Sequence, residues 1–159
     1  MASHIKEKGI VYSAVVMTMV LLLRFVPRQK IREAQVSFLF QQAITWFFGL
    51  LVVEKKLIKY PYRRYFKRAV KSSFLFEYFI CPAISALHNL YYPEKKSVLR
   101  RLLYTCSYSG LITFLEFFIE KYTDLITYRK WSWYWSFLSL SSVFYLSWLY
   151  SRWYFKKEE

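Results

Sequence analysis

Glycine, cysteine and aspartate are scarce in this chain of 159 residues. Three glycines are too few for a dinucleotide fingerprint or a phosphate-binding loop, so nucleotide chemistry is not expected. The two cysteines, Cys81 and Cys106, lie in apolar runs without a second Cys or His at metal-ligand spacing, and we interpret them as buried small hydrophobic residues. Asp124 is the single aspartate, and there is no Gly-x-Ser-x-Gly turn. We therefore expect no enzyme, no cofactor and no metal.

Large apolar side chains and cations are abundant instead. Hydrophobic residues make up 56% of the chain and aromatic residues 23%, while the formal net charge is +14. A soluble protein of this length cannot bury so many large aromatics. In a membrane protein the same composition is expected, because lipid solvates the apolar surface and basic residues crowd the loops. These numbers favour a multi-pass protein of a cell membrane.

Five apolar segments predict five transmembrane helices, at residues 10–26, 34–53, 72–91, 102–119 and 133–154. The first resembles a signal peptide, but no small-residue cleavage site follows it, so we expect it to remain as a helix. Tryptophans flank the fifth segment at both ends, which is typical of a helix that crosses a membrane. We predict one all-α domain over residues 1–159, a polytopic transmembrane helical bundle.

A strongly basic stretch at residues 61–71 separates the second and third segments. Its aromatic residues recur at helical spacing on one face, which predicts an amphipathic helix lying on the membrane surface. Contact with anionic lipid headgroups is expected from the opposite, cationic face, which carries Arg63, Arg64, Lys67, Arg68 and Lys71. The simpler alternative is a basic loop that only fixes orientation. Nucleic acid is not an expected partner, because no soluble domain remains to bind it.

The orientation rests on this basic stretch. Basic residues are nearly balanced between the two sides of a five-helix arrangement, so their count decides little. Placing the amphipathic helix against the anionic cytoplasmic leaflet puts the N-terminus inside and the C-terminus outside.

Two glutamates inside the predicted helices are candidates for function. Glu77 and Glu116 are expected at similar depth below the same surface, because their helices run in opposite directions. If they meet, they form a proton or cation site. The alternative is that each pairs with a basic side chain or reaches the interface, the basic candidates being Arg68, Lys71, Lys121 and Arg129.

The third helix holds most of the other unusual residues. Pro82 removes a backbone hydrogen bond near the middle of the membrane, which predicts a kink and a carbonyl that a neighbouring helix, a Ser hydroxyl or water must satisfy. His88 and Asn89 lie near its end, and a single His is a poor metal site. We expect His88 to form hydrogen bonds in the outer interface.

Polar and small residues within the other helices predict helix contacts. In the second helix, Gln41 and Gln42 are expected to bond across helices, with a wet cavity as the alternative, and Thr45 and Gly49 form a small-residue step. Two further close-packing faces are predicted, the first formed by Ser107, Gly110 and Thr113 and the second by Ser132, Ser136 and Ser139.

A set of short motifs in a fixed order carries a family resemblance. They are Thr45-Trp46 with Gly49-Leu50, Tyr60-Pro61, Phe76-Glu77-Tyr78 with Pro82, Asn89-Leu90-Tyr91-Tyr92-Pro93, Glu120-Lys121-Tyr122-Thr123 and Trp131-x-Trp133-Tyr134. In these residues the chain resembles a family, of unknown function, of small multi-spanning membrane proteins of spore-forming Gram-positive bacteria. The resemblance implies an integral protein of a bacterial plasma membrane and brings no activity or cofactor. It draws attention to Glu77, Pro82, Asn89 and Glu120.

Two classes of function remain open from the sequence. The first is a non-enzymatic membrane component that binds lipids or partner subunits, including further copies of itself. The second is a small oligomeric channel or transporter that uses Glu77 and Glu116 as proton or cation ligands. Carboxylates that form salt bridges with basic side chains would favour the first class. Unpaired carboxylates around a water-filled cavity would favour the second.

Overall fold

The structure is a computed structural model that describes residues 4–62 and 72–155. In this part of the chain it contains five α-helices, α1 Ile5–Phe25, α2 Ile31–Glu54, α3 Cys81–Leu90, α4 Val98–Tyr122 and α5 Trp133–Tyr154. A short 3-10 helix, Arg28–Lys30, precedes α2, and a π-helical turn, Phe76–Ile80, leads directly into α3. The predicted all-helical class is confirmed.

Three helices are long and apolar enough to cross a membrane. They are α1, the continuous helix Arg28–Glu54 and α4. The 22 residues of α5 are sufficient in length, but its many Ser, Tyr and Trp residues make it less apolar. The π-helical turn and α3 cover residues 76–90, roughly 22 Å at helical rise. Three membrane-length helices are therefore established, and five crossings remain a prediction.

A proline sets the end of the first helix. Helix α1 ends at Phe25, because Val26 takes the extended backbone that is favoured before Pro27. Helix α3 ends at Leu90, three residues before Pro93. Of the predicted interfacial helix at residues 61–71, only the first two residues are described, and neither is helical; Arg63, Arg64, Lys67, Arg68 and Lys71 lie outside the described residues.

One end of the bundle gathers the start of α1 and the ends of α2 and α4. Strand β1, Ile58–Lys59, pairs antiparallel with strand β2, Thr127–Tyr128, a small sheet that the sequence did not predict. Beside it the Tyr62 N–H donates to the carbonyl of Asp124 at 2.9 Å, and the Asp124 N–H donates to the Glu7 carboxylate at 3.5 Å. We call this the sheet end.

The opposite end gathers the last turns of α1, α3 and α5. The Tyr91 hydroxyl donates to the carbonyl of Phe25 at 2.7 Å. Glu94 forms an ion pair with Arg152 at 2.9 Å and accepts a hydrogen bond from the Trp148 indole at 3.2 Å. Because the helices end alternately at the two ends, the chain runs back and forth along the bundle.

Polar residues face inward and apolar residues face outward in this bundle. Helix α2 packs against α3, the π-helical turn and α5, while α4 packs against α5 and α1 against α3. Leu23 of α1 is 81% exposed and Leu103 of α4 is 60% exposed, whereas fully buried side chains include Ser37, Gln41, Ser85, His88, Ser109 and Ser147. Such an exterior is adapted to hydrocarbon rather than to water.

Candidate functional site

Two stripes of small and polar residues bring α2 and the third helical segment together. On the π-helical turn and α3, Glu77, Cys81, Ser85 and Asn89 recur every four residues, so they lie on one face. The same spacing on α2 aligns Ser37, Gln41, Thr45 and Gly49. Because α2 and α3 run in opposite directions, the two stripes meet along their length. We call the connected side chains between the helices the polar chain.

Glu77 lies at the end of the polar chain nearest the sheet. Its side chain is 4% exposed, and its carboxylate accepts a hydrogen bond from the Ser72 hydroxyl at 2.6 Å. The carboxylate also lies against the backbone of α2 at Gly49, where a Cβ atom would overlap it. The predicted small-residue step at Thr45 and Gly49 is thus a real contact, and its partner is a carboxylate.

The backbone carbonyls that Pro82 leaves free are bound by α2. Pro82 has no N–H to donate to Tyr78 in an α-helix or to Glu77 in a π-helix. The Gln42 side-chain amide donates to the Tyr78 carbonyl at 2.8 Å, and the Thr45 hydroxyl donates to the Glu77 carbonyl at 2.9 Å. A neighbouring helix therefore satisfies the free carbonyls, as predicted, and the distortion predicted as a kink takes the form of a π-helical turn.

Gln41 occupies the middle of the polar chain. Its amide nitrogen contacts the Cys81 sulfur at 3.6 Å, and its amide oxygen accepts from the Ser85 hydroxyl at 3.2 Å. Ser85 is also 3.0 Å from the Ser147 hydroxyl of α5, which accepts from the Asn89 amide at 2.9 Å. The prediction that the glutamines bond across helices is confirmed.

His88 continues the polar chain to α4. One ring nitrogen is 3.0 Å from the Asn89 amide oxygen and the other is 3.1 Å from the Thr105 hydroxyl. The ring is fully buried and packs among the rings of Tyr92, Tyr104, Tyr108 and Phe144. This corrects the prediction that His88 bonds in the outer interface, because aromatic side chains of three other segments cover it.

Glu116 has its own set of hydroxyl partners at the sheet end. This partly buried carboxylate accepts from the Ser136 hydroxyl of α5 at 3.0 Å. Ser136 in turn accepts from the Trp131 indole at 2.9 Å and lies 3.3 Å from the Tyr128 hydroxyl. Burial, with the nearby Glu116 carboxylate, raises the pKa of the Tyr128 phenol, so Tyr128 remains neutral.

The two candidate glutamates lie in the same region but are bound separately. Glu77 accepts from Ser72 and lies against α2 at Gly49, whereas Glu116 accepts from Ser136 beside β2, so both carboxylates lie toward the sheet end but have different partners. Within residues 4–62 and 72–155, neither carboxylate forms an ion pair. Lys121 and Arg129, two of the predicted partners, therefore do not pair with them, and the other two, Arg68 and Lys71, lie outside the described residues.

Some inward-facing hydroxyls were not predicted from the sequence. On α4 the buried hydroxyl residues are Thr105, Ser109 and Thr113, of which only Thr113 belongs to the predicted face, whereas Ser107 is exposed and bonds to its own helix. On α5, Ser147 faces inward together with the predicted Ser136, but Ser139 is exposed and donates to the Ser136 carbonyl of its own helix. Each predicted face therefore includes one buried hydroxyl and one exposed hydroxyl. The four-residue spacing of the polar side chains was the available signal.

One group of metal-binding side chains lies away from the polar chain. His4, Glu7 and Asp124 bring one ligand atom each within 4.8 Å of one another at the sheet end. Two of these residues are exposed, and Glu7 already accepts a hydrogen bond from the Asp124 backbone. Nothing in this arrangement indicates that a metal ion is required.

An open groove of about 400 Å³ lies on the outside of the bundle between α4 and α5. Four aromatic side chains and two smaller residues line it, namely Phe114, Phe117, Trp133, Phe137, Gly110 and Thr113. We call it the α4–α5 groove.

The fold and the polar chain define an all-helical protein with three helices able to span a membrane and a hydrogen-bonded interior. Compared with protein-family models, with curated proteins and with solved structures, the chain matches none.

Proposed function

We propose that the protein is a non-enzymatic, multi-pass component of a cell membrane that binds lipids or partner subunits through its outer surface. The observation that carries this proposal is the complete burial of the middle of the polar chain. Gln41, Cys81, Ser85, His88 and Ser147 have no surface that a water molecule can reach. These groups bond to one another across helices, which is how polar side chains hold helices together in a membrane.

Five crossings belong to the same proposal. The helices run back and forth between two ends, and several of the polar residues of α3 and α5, namely Ser85, Asn89, Ser136 and Ser147, bond to other helices. A helix of this kind crosses a membrane because its neighbours, rather than lipid, surround its polar face. The family resemblance supports a bacterial plasma membrane, and the basic stretch at residues 61–71 supports a cytoplasmic N-terminus.

A proton or cation transporter is the second candidate. The observation in its favour is that Glu77 and Glu116 have hydroxyl partners but no ion pair within the described residues. Ionisable side chains at such positions often mark ion pathways. Both carboxylates lie near one end, however, and beyond Glu77 the side chains of Gln41, Cys81, Ser85 and His88 are fully buried.

Flux measurements in liposomes separate the two candidates. We expect proton and cation flux through vesicles containing the purified protein to equal that of empty vesicles, because the middle of the polar chain, from Gln41 to His88, is fully buried. The variants are Glu77→Gln and Glu116→Gln, and Glu94→Gln is the matched control, since Glu94 lies at the opposite end. Flux in the wild type that is lost in either of the first two variants, and kept in the control, would establish transport instead.

A further inference from the structure

The α4–α5 groove presents mainly apolar atoms to an occupant, since four of its six lining residues are aromatic. Phe114 and Trp133 are 59% and 56% exposed, so these aromatic side chains are accessible from outside the bundle. Thr113 contributes to the groove, but its hydroxyl oxygen is buried and forms no hydrogen bond within the described residues. The groove therefore offers little hydrogen-bonding surface, and its occupant is bound mainly by apolar contact.

A flexible chain fits this groove better than a transmembrane helix does. Close helix packing in membranes needs a small residue that leaves its backbone open to the partner. Gly110 is the only glycine of α4, and the position of its absent Cβ already lies 3.9 Å from the ring of Phe137. The ring of Phe137 already lies beside Gly110, which disfavours the close approach of a second helix there, whereas a narrow acyl chain can lie between the rings.

Two lysine side chains lie at the end of the groove that is nearest the sheet end. On α4, Lys121 follows Phe117 by four residues and so continues the same face of the helix. On the other side, Lys130 comes three residues before Trp133, directly after β2. Both lysines are exposed, and neither forms an ion pair within residues 4–62 and 72–155. This charge complements an anionic headgroup placed above an acyl chain.

We propose that the α4–α5 groove binds one acyl chain of an anionic glycerophospholipid, with the lipid phosphate near Lys121 and Lys130. The inference rests on the proposed function and deepens it, since it names the lipid class and the place where it binds. Apolar walls select an acyl chain, and the two lysines select a negative headgroup.

Native mass spectrometry of protein taken from mixed vesicles tests this site. The vesicles contain equal amounts of phosphatidylcholine and phosphatidylglycerol, and the quantity measured is the lipid that each chain retains in mild detergent. We expect the wild type to retain phosphatidylglycerol preferentially. Replacing Gly110 by Leu places a side chain in the groove and should abolish retention, while Lys121→Gln and Lys130→Gln should each reduce the preference about five-fold.

Matched controls carry the same chemical changes away from the groove. Gly9→Leu adds the same side chain to α1, where a Cβ atom meets nothing within 4 Å, and Lys8→Gln removes an exposed lysine near the same end. Both controls should retain lipid as the wild type does. Gly110→Ala, whose added atom makes only an ordinary contact with Phe137, keeps the test valid if Gly110→Leu fails to fold.

The outcomes separate the groove from the general proposal. Equal phosphatidylglycerol retention by the wild type, Gly110→Leu and both lysine variants would show that the groove is not the binding site. The lipid would then bind elsewhere on the outer surface. If the wild type is a dimer and Gly110→Leu dissociates it, the lipid site would also be rejected, because a second copy of the chain would then fill the groove. Absence of retained lipid together with carboxylate-dependent flux would reject the groove and the proposed function alike.

Discussion

Gly49 lets a buried carboxylate lie directly against the backbone of a neighbouring helix. We predict that Gly49→Ala lowers the stability of the bundle, because the added Cβ atom would overlap the Glu77 carboxylate. Overpacking of this kind costs about 1–3 kcal/mol, and the Ser72 hydrogen bond to Glu77 would be strained as well. The measurement is the midpoint of thermal unfolding in detergent, followed by circular dichroism.

The other glycines of the chain supply the controls for this prediction. Gly9→Ala and Gly110→Ala meet no close atom, so better helix propensity should leave the protein as stable or raise its stability by up to about 1 kcal/mol. In a Glu77→Ala background, Gly49→Ala should cost little, because the overlapping group is gone. If Gly49→Ala stabilises the protein as much as Gly110→Ala does, the contact between Gly49 and Glu77 is not present.

Single residues differ in how far the sequence determines their surroundings. The bonds of Gln42 and Thr45 were predictable in kind, because Pro82 frees carbonyls that must be satisfied away from water. The burial of His88 was not predictable, since it depends on aromatic rings from α4 and α5 and from the residues after α3. Sequence spacing describes one helix and says nothing about which other helix lies beside it.

Gln42 on α2 binds a carbonyl that Pro82 on α3 leaves free, so the two residues are coupled across two helices. We predict that Gln42→Leu destabilises the wild type by about 0.6 kcal/mol, and at most about 1.7, the range for hydrogen bonds between membrane helices. In a Pro82→Ala background the same substitution should cost less, because the new N–H at position 82 can donate to the Tyr78 carbonyl. A double-mutant cycle of unfolding free energies measures this coupling.

Gln41→Leu is the matched control for that cycle. Gln41 is the neighbouring glutamine, but its partners are Cys81 and Ser85 rather than a carbonyl freed by Pro82. Its cost should be the same with Pro or Ala at position 82. If Gln42→Leu lowers the unfolding free energy equally in both backgrounds, Gln42 does not hydrogen-bond to the carbonyl that Pro82 leaves free.

Helices were predictable from the sequence where a long run of apolar residues makes up most of the helix. The helices α1, α2 and α4 are apolar and exposed over much of their surface, so their apolar runs are long enough to reveal them. The predicted third segment, residues 72–91, is helical over a shorter stretch with a π-helical turn. The strands β1 and β2 have two residues each, and tertiary contacts at the sheet end rather than local propensity determine them.

At the scale of the molecule, a polar interior and an apolar exterior follow from one physical requirement. Hydrocarbon cannot satisfy hydrogen-bonding groups, so they turn toward one another between the helices. The polar chain links α2, α3, α4 and α5 through side chains alone. A protein assembled in this way depends on all of these helices lying side by side.

The arrangement predicts which side of the membrane each loop occupies. In a background with Cys81→Ala and Cys106→Ala, single cysteines replace Lys55, Lys96, Lys130 and Tyr154, all of them exposed. We expect a membrane-impermeant thiol reagent to label positions 96 and 154 from outside intact cells, and positions 55 and 130 only after permeabilisation. The reason is that residues 55 and 130 belong to the sheet end, whereas residues 96 and 154 lie near the end where Glu94 and Arg152 pair.

Each pair of consecutive positions tests one crossing, and the set tests three of the five proposed crossings. Positions 55 and 96 enclose the third helical segment, 96 and 130 enclose α4, and 130 and 154 enclose α5. Labelling of 55 and 96 from the same side would show that the π-helical turn and α3 do not cross. Labelling with the two sides exchanged would keep these three crossings and reverse only the orientation. The two results differ physically, because the first contradicts the packing of the helices and the second only the attraction of basic residues to the cytoplasmic leaflet.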